Sequence, residues 1–466
     1  MAHSTVVINV VGLSESIVGD HTPRLQQRIQ QADSVYLQPP LPAVTTTAQS
    51  SMLTGTPPRE HGIVANGWYH RDLAEVRFWH RPNHLVESEK VWETARHTEP
   101  ELSCANLFWW YNTYSSCHPM VQVRPIYKAD GRKIPDCYAA PDSLRHRLQR
   151  KLGRFPLFQF WGPAASRVSS DWIVDATLEV HHQYESDLTL VYLPHMDYSL
   201  QKYGPGSREA HKAAGELDQM LGRLFDYFDA RGVRVMLVSE YGIEPVHDAI
   251  PINQYLRKAG GVTVREEDGL EMLDPGASDA FAVADHQIAH VYVQKPELID
   301  HYQQICREVP GVDRVLDARG QQEHGLDHAR SGELVLIAER GYWFSYDYWL
   351  DEAQAPDFAR TVDINRKPGY DPRELFLDPK LTLPKAHIAW RLLKKKLGFR
   401  TLMDVVALDP TLVKGAHGRA DAPRQYQPLM VPPGGSACAT DTLASESVRD
   451  MILRSLFDDT VRIDTP

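Results

Sequence analysis

The chain has 466 residues and a formal net charge of −11, with 42% hydrophobic and 24% charged residues. That balance suits a soluble globular protein with a substantial core. An acidic chain without a basic field is a poor partner for nucleic-acid polymers, although a small phosphorylated substrate remains compatible with it.

The N-terminal "TVVINVVGL" (5–13) is a nearly continuous, β-branched apolar run that predicts a strand buried on both faces. It has no cationic leader before it, so it reads as a first strand rather than a signal peptide. No stretch approaches the ~20 apolar residues of a membrane span, and no membrane partner is expected. "SCANLFWW" (103–110) predicts a further strand. "DLTLVYLP" (187–194) and "VRVMLVSE" (233–240) match the first run, and between them 207–232 places Ala213, Leu217, Met220, Leu221, Leu224 and Phe228 at helical spacing. Strand, helix and strand at this spacing make a βαβ unit with parallel pairing.

Residues 244–330 are less regular and read as a cap insertion, with a strand in 280–294 and a helix after it. "ELVLIAERGYWFSYDYW" (333–349) is strand-like and aromatic. Residues 415–440, rich in Gly, Pro and Ala, read as a surface-draped segment. A closing helix is expected within 441–466, with Thr440 or Asp441 as its cap. The five cysteines are odd in number and widely spaced, with no C-x-x-C pair. Reduced thiols in the cytoplasm are expected rather than a disulfide framework.

In open α/β sheets ligands gather at the carboxyl ends of strands. The loops after 5–11, 187–194 and 233–240 are all polar there. "LPAVTTTAQSSMLTG" (41–55) puts three threonines before a helix expected to start near Thr46 or Thr47. Thr45 then sits at a helix N-terminus, where free N–H groups favour an anion. Simple helix capping is the competing reading.

Residues 41–72 decide between them by resemblance. Pro42, Thr45, Thr54–Gly55, Pro58, His61–Gly62–Ile63 and Asn66, with "TPRL" at 22–25, resemble the nucleophile segment of the nucleotide pyrophosphatase/phosphodiesterase family of the alkaline phosphatase superfamily. The resemblance implies an α/β fold, a three-layer αβα sandwich with a mostly parallel central sheet over 1–414 and the cap at about 244–330. It implies Thr45 as nucleophile, Asn66 as donor to a phosphoryl oxygen, and two divalent ions (Mn, Mg or Zn) that activate the threonine and polarise the leaving oxygen.

The ligand positions depart from that pattern. Val11 replaces the first Asp, with Asn9 two residues earlier on the same side of the strand. In "DYSLQKYGP" (197–205) Asp197 is kept and Gln201 stands for His. In "SEYGI" (239–243) Glu240 replaces Asp and Tyr241 replaces His, and "PGYD" (368–371) puts Pro368 where the last His belongs. Asp197 and Glu240, with His195 beside them, are the metal candidates. Tyr241, Gln201 and Lys367 are candidates for substrate contact, with Arg366–Lys367 equally readable as a solvated turn. A phosphoester hydrolase acting on a small molecule is the first expectation. The alternative is a degenerate member that binds a phosphorylated or anionic ligand, or hydrolyses another ester with His195 or His247 as base.

Overall fold

The computed structural model of the protein describes residues 2–434, 436–438, 440–458 and 462–463. The elements that position the site are, in chain order, β1 (Thr5–Val10), α1 (Thr45–Thr54), α2 (Val91–Thr98), β2 (Cys104–Leu107), β3 (Met120–Val123), β4 (Cys137–Ala140), α3 (Arg167–Tyr184), β5 (Leu188–Leu193), α4 (His195–Tyr203), α5 (Arg208–Asp229) and β6 (Arg234–Val238). They are followed by β7 (Ala280–Asp285), β8 (Ile288–Val293), β9 (Val312–Leu316), β10 (Leu334–Ala338), α6 (Pro384–Lys396) and α7 (Val448–Phe457).

The central sheet has the order β6-β1-β5-β2-β3-β4. All its pairs are parallel except β3 with β4. Every residue of β1 and β5 is buried, as their unbroken apolar runs require of strands covered on both faces. The expected βαβ unit is β5–α5–β6. The apolar stripe of α5 is buried at each of the six predicted positions, and Ser207 Oγ caps its start by accepting from Ala210 N at 3.1 Å. Helices α3 and α5 cover one face, α2 and α7 the other, which gives the three-layer αβα sandwich.

The strand expected in 280–294 is a pair, because β7 and β8 fold back on each other antiparallel. With β10 and β9 they make a second sheet, β7-β8-β10-β9, that has its own apolar core. This unit reaches Ala338, past the 330 boundary read from the sequence.

Residues 415–440 are not draped over the surface. Gly415–Ala416 pair with Glu244–Pro245, Leu429–Met430 pair with Val35–Tyr36, and His417 is buried. The glycine content serves close approach. A Cβ on Gly415 would lie 2.2 Å from the Leu200 carbonyl oxygen, and one on Gly242 only 1.3 Å from that of Tyr426. Thr440 and Asp441 do not cap the last helix. Thr442–Ala444 instead extend the small sheet beside Tyr36–Gln38, and α7 begins at Val448. No helix among the described residues is long and apolar enough to cross a membrane.

Candidate active site

Thr45 is the first residue of α1 and lies at the carboxyl end of the central sheet, so the helix begins one or two residues earlier than its threonines suggest. Thr46 and Thr47 are fully buried. Thr46 Oγ1 donates to the Ala65 carbonyl at 2.9 Å, and its N–H donates to Asn66 Oδ1 at 3.0 Å. Asn66 is therefore held against the first turn of α1, behind Thr45. Its own N–H and its Nδ2 donate to Asp285 at 2.9 and 3.2 Å.

Thr45 Oγ1 lies 3.1 Å from the hydroxyl of Tyr241. That hydroxyl donates to Asp197 Oδ1 at 3.4 Å, so the Thr45 hydroxyl is the donor to Tyr241. The three groups form a chain from Thr45 through Tyr241 to Asp197. Burial raises the Asp197 carboxyl to about 6, despite opposing hydrogen bonds from Gln201 and Tyr241. Gln201 Oε1 accepts from Tyr370 at 3.0 Å. Glu240 is fully buried and pushed well above the usual carboxylate range by burial. It faces the amides of Gln49 and Asn9, but neither of its oxygens has a partner in good hydrogen-bond geometry among the described residues.

Two histidines outside the expected set complete the site. Tyr241, His417, His286 and Tyr370 form a continuous ring stack with centroids 3.5, 3.6 and 3.7 Å apart. His417 Nδ1 donates to the Ala43 carbonyl at 2.8 Å, and His286 Nδ1 donates to Asp285 Oδ1 at 2.8 Å. With the proton fixed on Nδ1, each ring carries its lone pair on Nε2. Both Nε2 atoms are buried and unpartnered among the described residues. Burial keeps both imidazoles neutral, well below their ordinary pKa, and the proximity of the two rings adds to this for His417. Asp285 is raised to about 6, first by burial.

Thr45, Asp197, Tyr241, His286, Tyr370 and His417 share one cavity of about 680 Å³, walled by Trp79, Trp110, Trp161, Tyr192, Tyr198 and Phe160. Its basic residues are Arg81, Lys133, Arg366 and Lys395. Lys133 and Arg366 both pair with Asp363, at 3.4 and 3.3 Å. Arg81 has no carboxylate partner among the described residues, and its buried Nε is without a hydrogen-bond partner there.

The other candidates lie elsewhere. His195 Nε2 contacts Glu216 at 3.0 Å and His247 is an exposed ring packed 5.0 Å from Tyr342; neither lines the cavity. Lys367 is buried between Asp371 and Glu374, both at 2.9 Å, so its charge is spent inside the scaffold. The His-Gly that reaches the site is His417–Gly418, whereas Gly369, after Pro368, packs on Tyr346. A His-Gly dipeptide after an apolar residue was the available signal for His417. For His286 it was an Asp-His pair at the tip of an alternating hairpin.

The donor set bears on the implied divalent ions. Zinc takes about four N, O or S ligands. Among the described residues no three His, Cys, Asp or Glu side chains converge to hold a metal. A phenol joins the Thr45 hydroxyl to the Asp197 carboxyl. Asn9, beside Glu240, offers an amide that donates as readily as it accepts. These residues do not fit a pair of metal ions.

No curated protein matches the sequence. Several solved structures share the fold. The chain resembles phosphonoacetate hydrolase from Sinorhizobium meliloti 1021, solved with phosphonoformate, at 14% identity and TM-score 0.61, covering 97% of this chain and 95% of that one. It resembles murine ectonucleotide pyrophosphatase / phosphodiesterase 5, solved as an inactive variant with AMP, at 13% identity and TM-score 0.57, covering 99% and 97%. The human ectonucleotide pyrophosphatase / phosphodiesterase 5 matches at 13% identity and TM-score 0.58, with the same coverage. Residues 5–371 match the type I phosphodiesterase / nucleotide pyrophosphatase family over most of the chain, and the protein belongs to that family.

Proposed function

We propose that this protein is a phosphoester hydrolase that uses Thr45 as nucleophile and acts on a singly charged phosphodiester with a sizeable apolar group. The observation that carries this reading is the Thr45–Tyr241–Asp197 hydrogen-bond chain at the base of an aromatic cavity. Thr45 Oγ attacks phosphorus, its proton passes to Tyr241 as the Tyr241 proton passes to Asp197, and the ester oxygen leaves. Water then attacks the phosphothreonine, and its proton passes to solvent by way of an Nε2 lone pair in the same cavity, that of His286 being our candidate. Thr45 recovers its proton from the same chain in reverse.

The charge around Thr45 supports a diester. Asp197, Glu240 and Asp285 are all buried, and the lining cations without a carboxylate partner among the described residues are Arg81 and, at the rim, Lys395. A monoester would bring a second negative charge into the same field. The aromatic walls suit a planar or apolar substituent. Divalent metals are the family's usual means of activating the threonine, and the donor set argues for residues in their place.

The test is hydrolysis of an aryl phosphodiester and the corresponding monoester by chelator-treated protein, with Thr45→Ala as control. Turnover of the diester by the parent protein and none by the variant is the expected result. The departures at the ligand positions (Val11, Gln201, Tyr241 and Pro368) also suit the alternative of ligand binding without turnover. That alternative is supported if the ester is bound intact and neither protein hydrolyses it.

A further inference from the structure

Helix α6 has no buried residue along its whole length. Seven of the fifteen large apolar side chains exposed among the described residues fall within 383–402. Ala386, Trp390, Leu393 and Leu397 are spaced i, i+4, i+7 and i+11, so they form one stripe along the helix. Trp390 is 54% exposed and Leu397 67%. The opposite side is anchored by His387 and Arg391, which reach Asp404 at 3.4 and 2.7 Å. The apolar stripe therefore points away from the protein.

The charge of this segment opposes that of the chain. Residues 379–403 contain Lys380, Lys385, Arg391, Lys394, Lys395, Lys396 and Arg400 and no Asp or Glu, in a protein of net charge −11. Lys394 Nζ lies over the Trp390 ring at 5.2 Å. A tryptophan and leucines on one face, with lysines flanking them, is the pattern of a helix lying in the plane of a lipid interface. Long lysine side chains can keep their charge at the headgroups while the stripe sinks below them.

We propose that α6 docks the protein on an anionic lipid surface. The occupant is set by charge complementarity and by continuity with the cavity. Ile388, Leu392 and Lys395, on the flank of the same helix turned away from the stripe, line the cavity that holds Thr45. An amphiphilic phosphodiester would pass from the bilayer along this apolar flank, its phosphate following the basic rim. Docking rests on the helix alone. Only the passage to Thr45 rests on the hydrolase reading. The expectation of no membrane partner was drawn from the lack of a spanning segment, which a surface-lying helix does not need.

The test is flotation of the full chain with phosphatidylcholine vesicles, with or without about 30% phosphatidylglycerol. The expected result is binding to the anionic vesicles, weakened by salt. Trp390→Glu with Leu393→Glu should reduce binding at least about tenfold, since each buried apolar side chain contributes more than that factor. Lys394→Glu with Lys396→Glu should reduce it by about fivefold or more per charge. All four positions lie off the cavity lining, so hydrolysis of a soluble aryl diester should be unchanged. No flotation, or equal flotation with neutral vesicles, overturns the proposal. So does a dimer in light scattering that the apolar double variant dissociates without any vesicle binding. Flotation by a protein that hydrolyses nothing leaves docking standing and sinks the hydrolase reading instead.

Discussion

Two buried clusters of charge sit in this molecule and are finished differently. In the first, Lys367 reaches Asp371 and Glu374, while Arg373 reaches Asp371 at 2.7 Å, Asp347 at 2.6 Å and the Leu408 carbonyl at 3.0 Å. Burial alone would raise Asp371, but the charges of Arg373 and Lys367 outweigh it and hold the carboxyl below its ordinary pKa. In the second, around Thr45, Asp197, Asp285 and Glu240 are all raised by burial, as Glu374 is in the first, but here polar atoms of Glu240, His286 and His417 are without partners among the described residues. A satisfied cluster is scaffold. An unsatisfied one spends stability on groups held ready for a ligand.

The comparison breaks most sharply at Thr45. Thr45→Ala should lower turnover about 10⁴-fold or more while leaving the denaturation midpoint nearly unchanged, because the side chain makes a single hydrogen bond. Lys367→Met should do the reverse. It removes the cation that Glu374 pairs with and one of the two cations on Asp371, and should cost about 3–5 kcal/mol in urea unfolding, with unaltered kcat in the protein that remains folded. Equal effects of both variants on one observable would erase the distinction between site and scaffold.

Smaller changes sharpen it. Tyr241→Phe keeps the ring stack and removes the proton path, so kcat should fall about 10²-fold or more with little change in KM. Asp197 tests the sign of the electrostatics. Its folded pKa of about 6 lies above the ordinary 3.8, so the folded state holds the proton more tightly and loses stability as pH rises through 6. Asp197→Asn should therefore gain about 2–3 kcal/mol over the parent protein above that pH. Parent turnover should rise through the same range, since the ionised carboxylate is the acceptor of the relay. A variant no more stable at pH 8 than its parent would show that Asp197 is not strained by burial. The smallest expected effect is that of a chelator, which should leave both turnover and unfolding unchanged.

Much of this was legible in the sequence where one residue's neighbours in the chain determine its environment. The apolar runs of β1, β5 and β6 pointed to the parallel sheet, and Pro42, Thr45, Thr54–Gly55 and Asn66 carried the resemblance to the family. The remainder depends on distant chain. His286 and His417 are far apart in sequence and meet only as stacked rings. Asn66 acquires its orientation from Asp285. Lys367 read as a substrate contact or a solvated turn because the sequence does not show that Asp371 and Glu374 close on it, and 415–440 read as surface-draped because Gly415 and Gly418 were read for freedom rather than for close contact. The basic, leucine-rich stretch at α6 carries no chemical motif, and only the fold shows that its apolar stripe faces outward.

The central claim is that Thr45 is a nucleophile activated by side chains. Its most direct test is to mix chelator-treated protein with an aryl phosphodiester, quench in acid within the first turnovers, and map the adduct by peptide mass spectrometry. The account predicts a phosphodiester adduct on the peptide carrying Thr45 that is absent from Thr45→Ala and strongly reduced in Tyr241→Phe. An adduct that forms only after metal is restored, or one that maps to another residue, would contradict it.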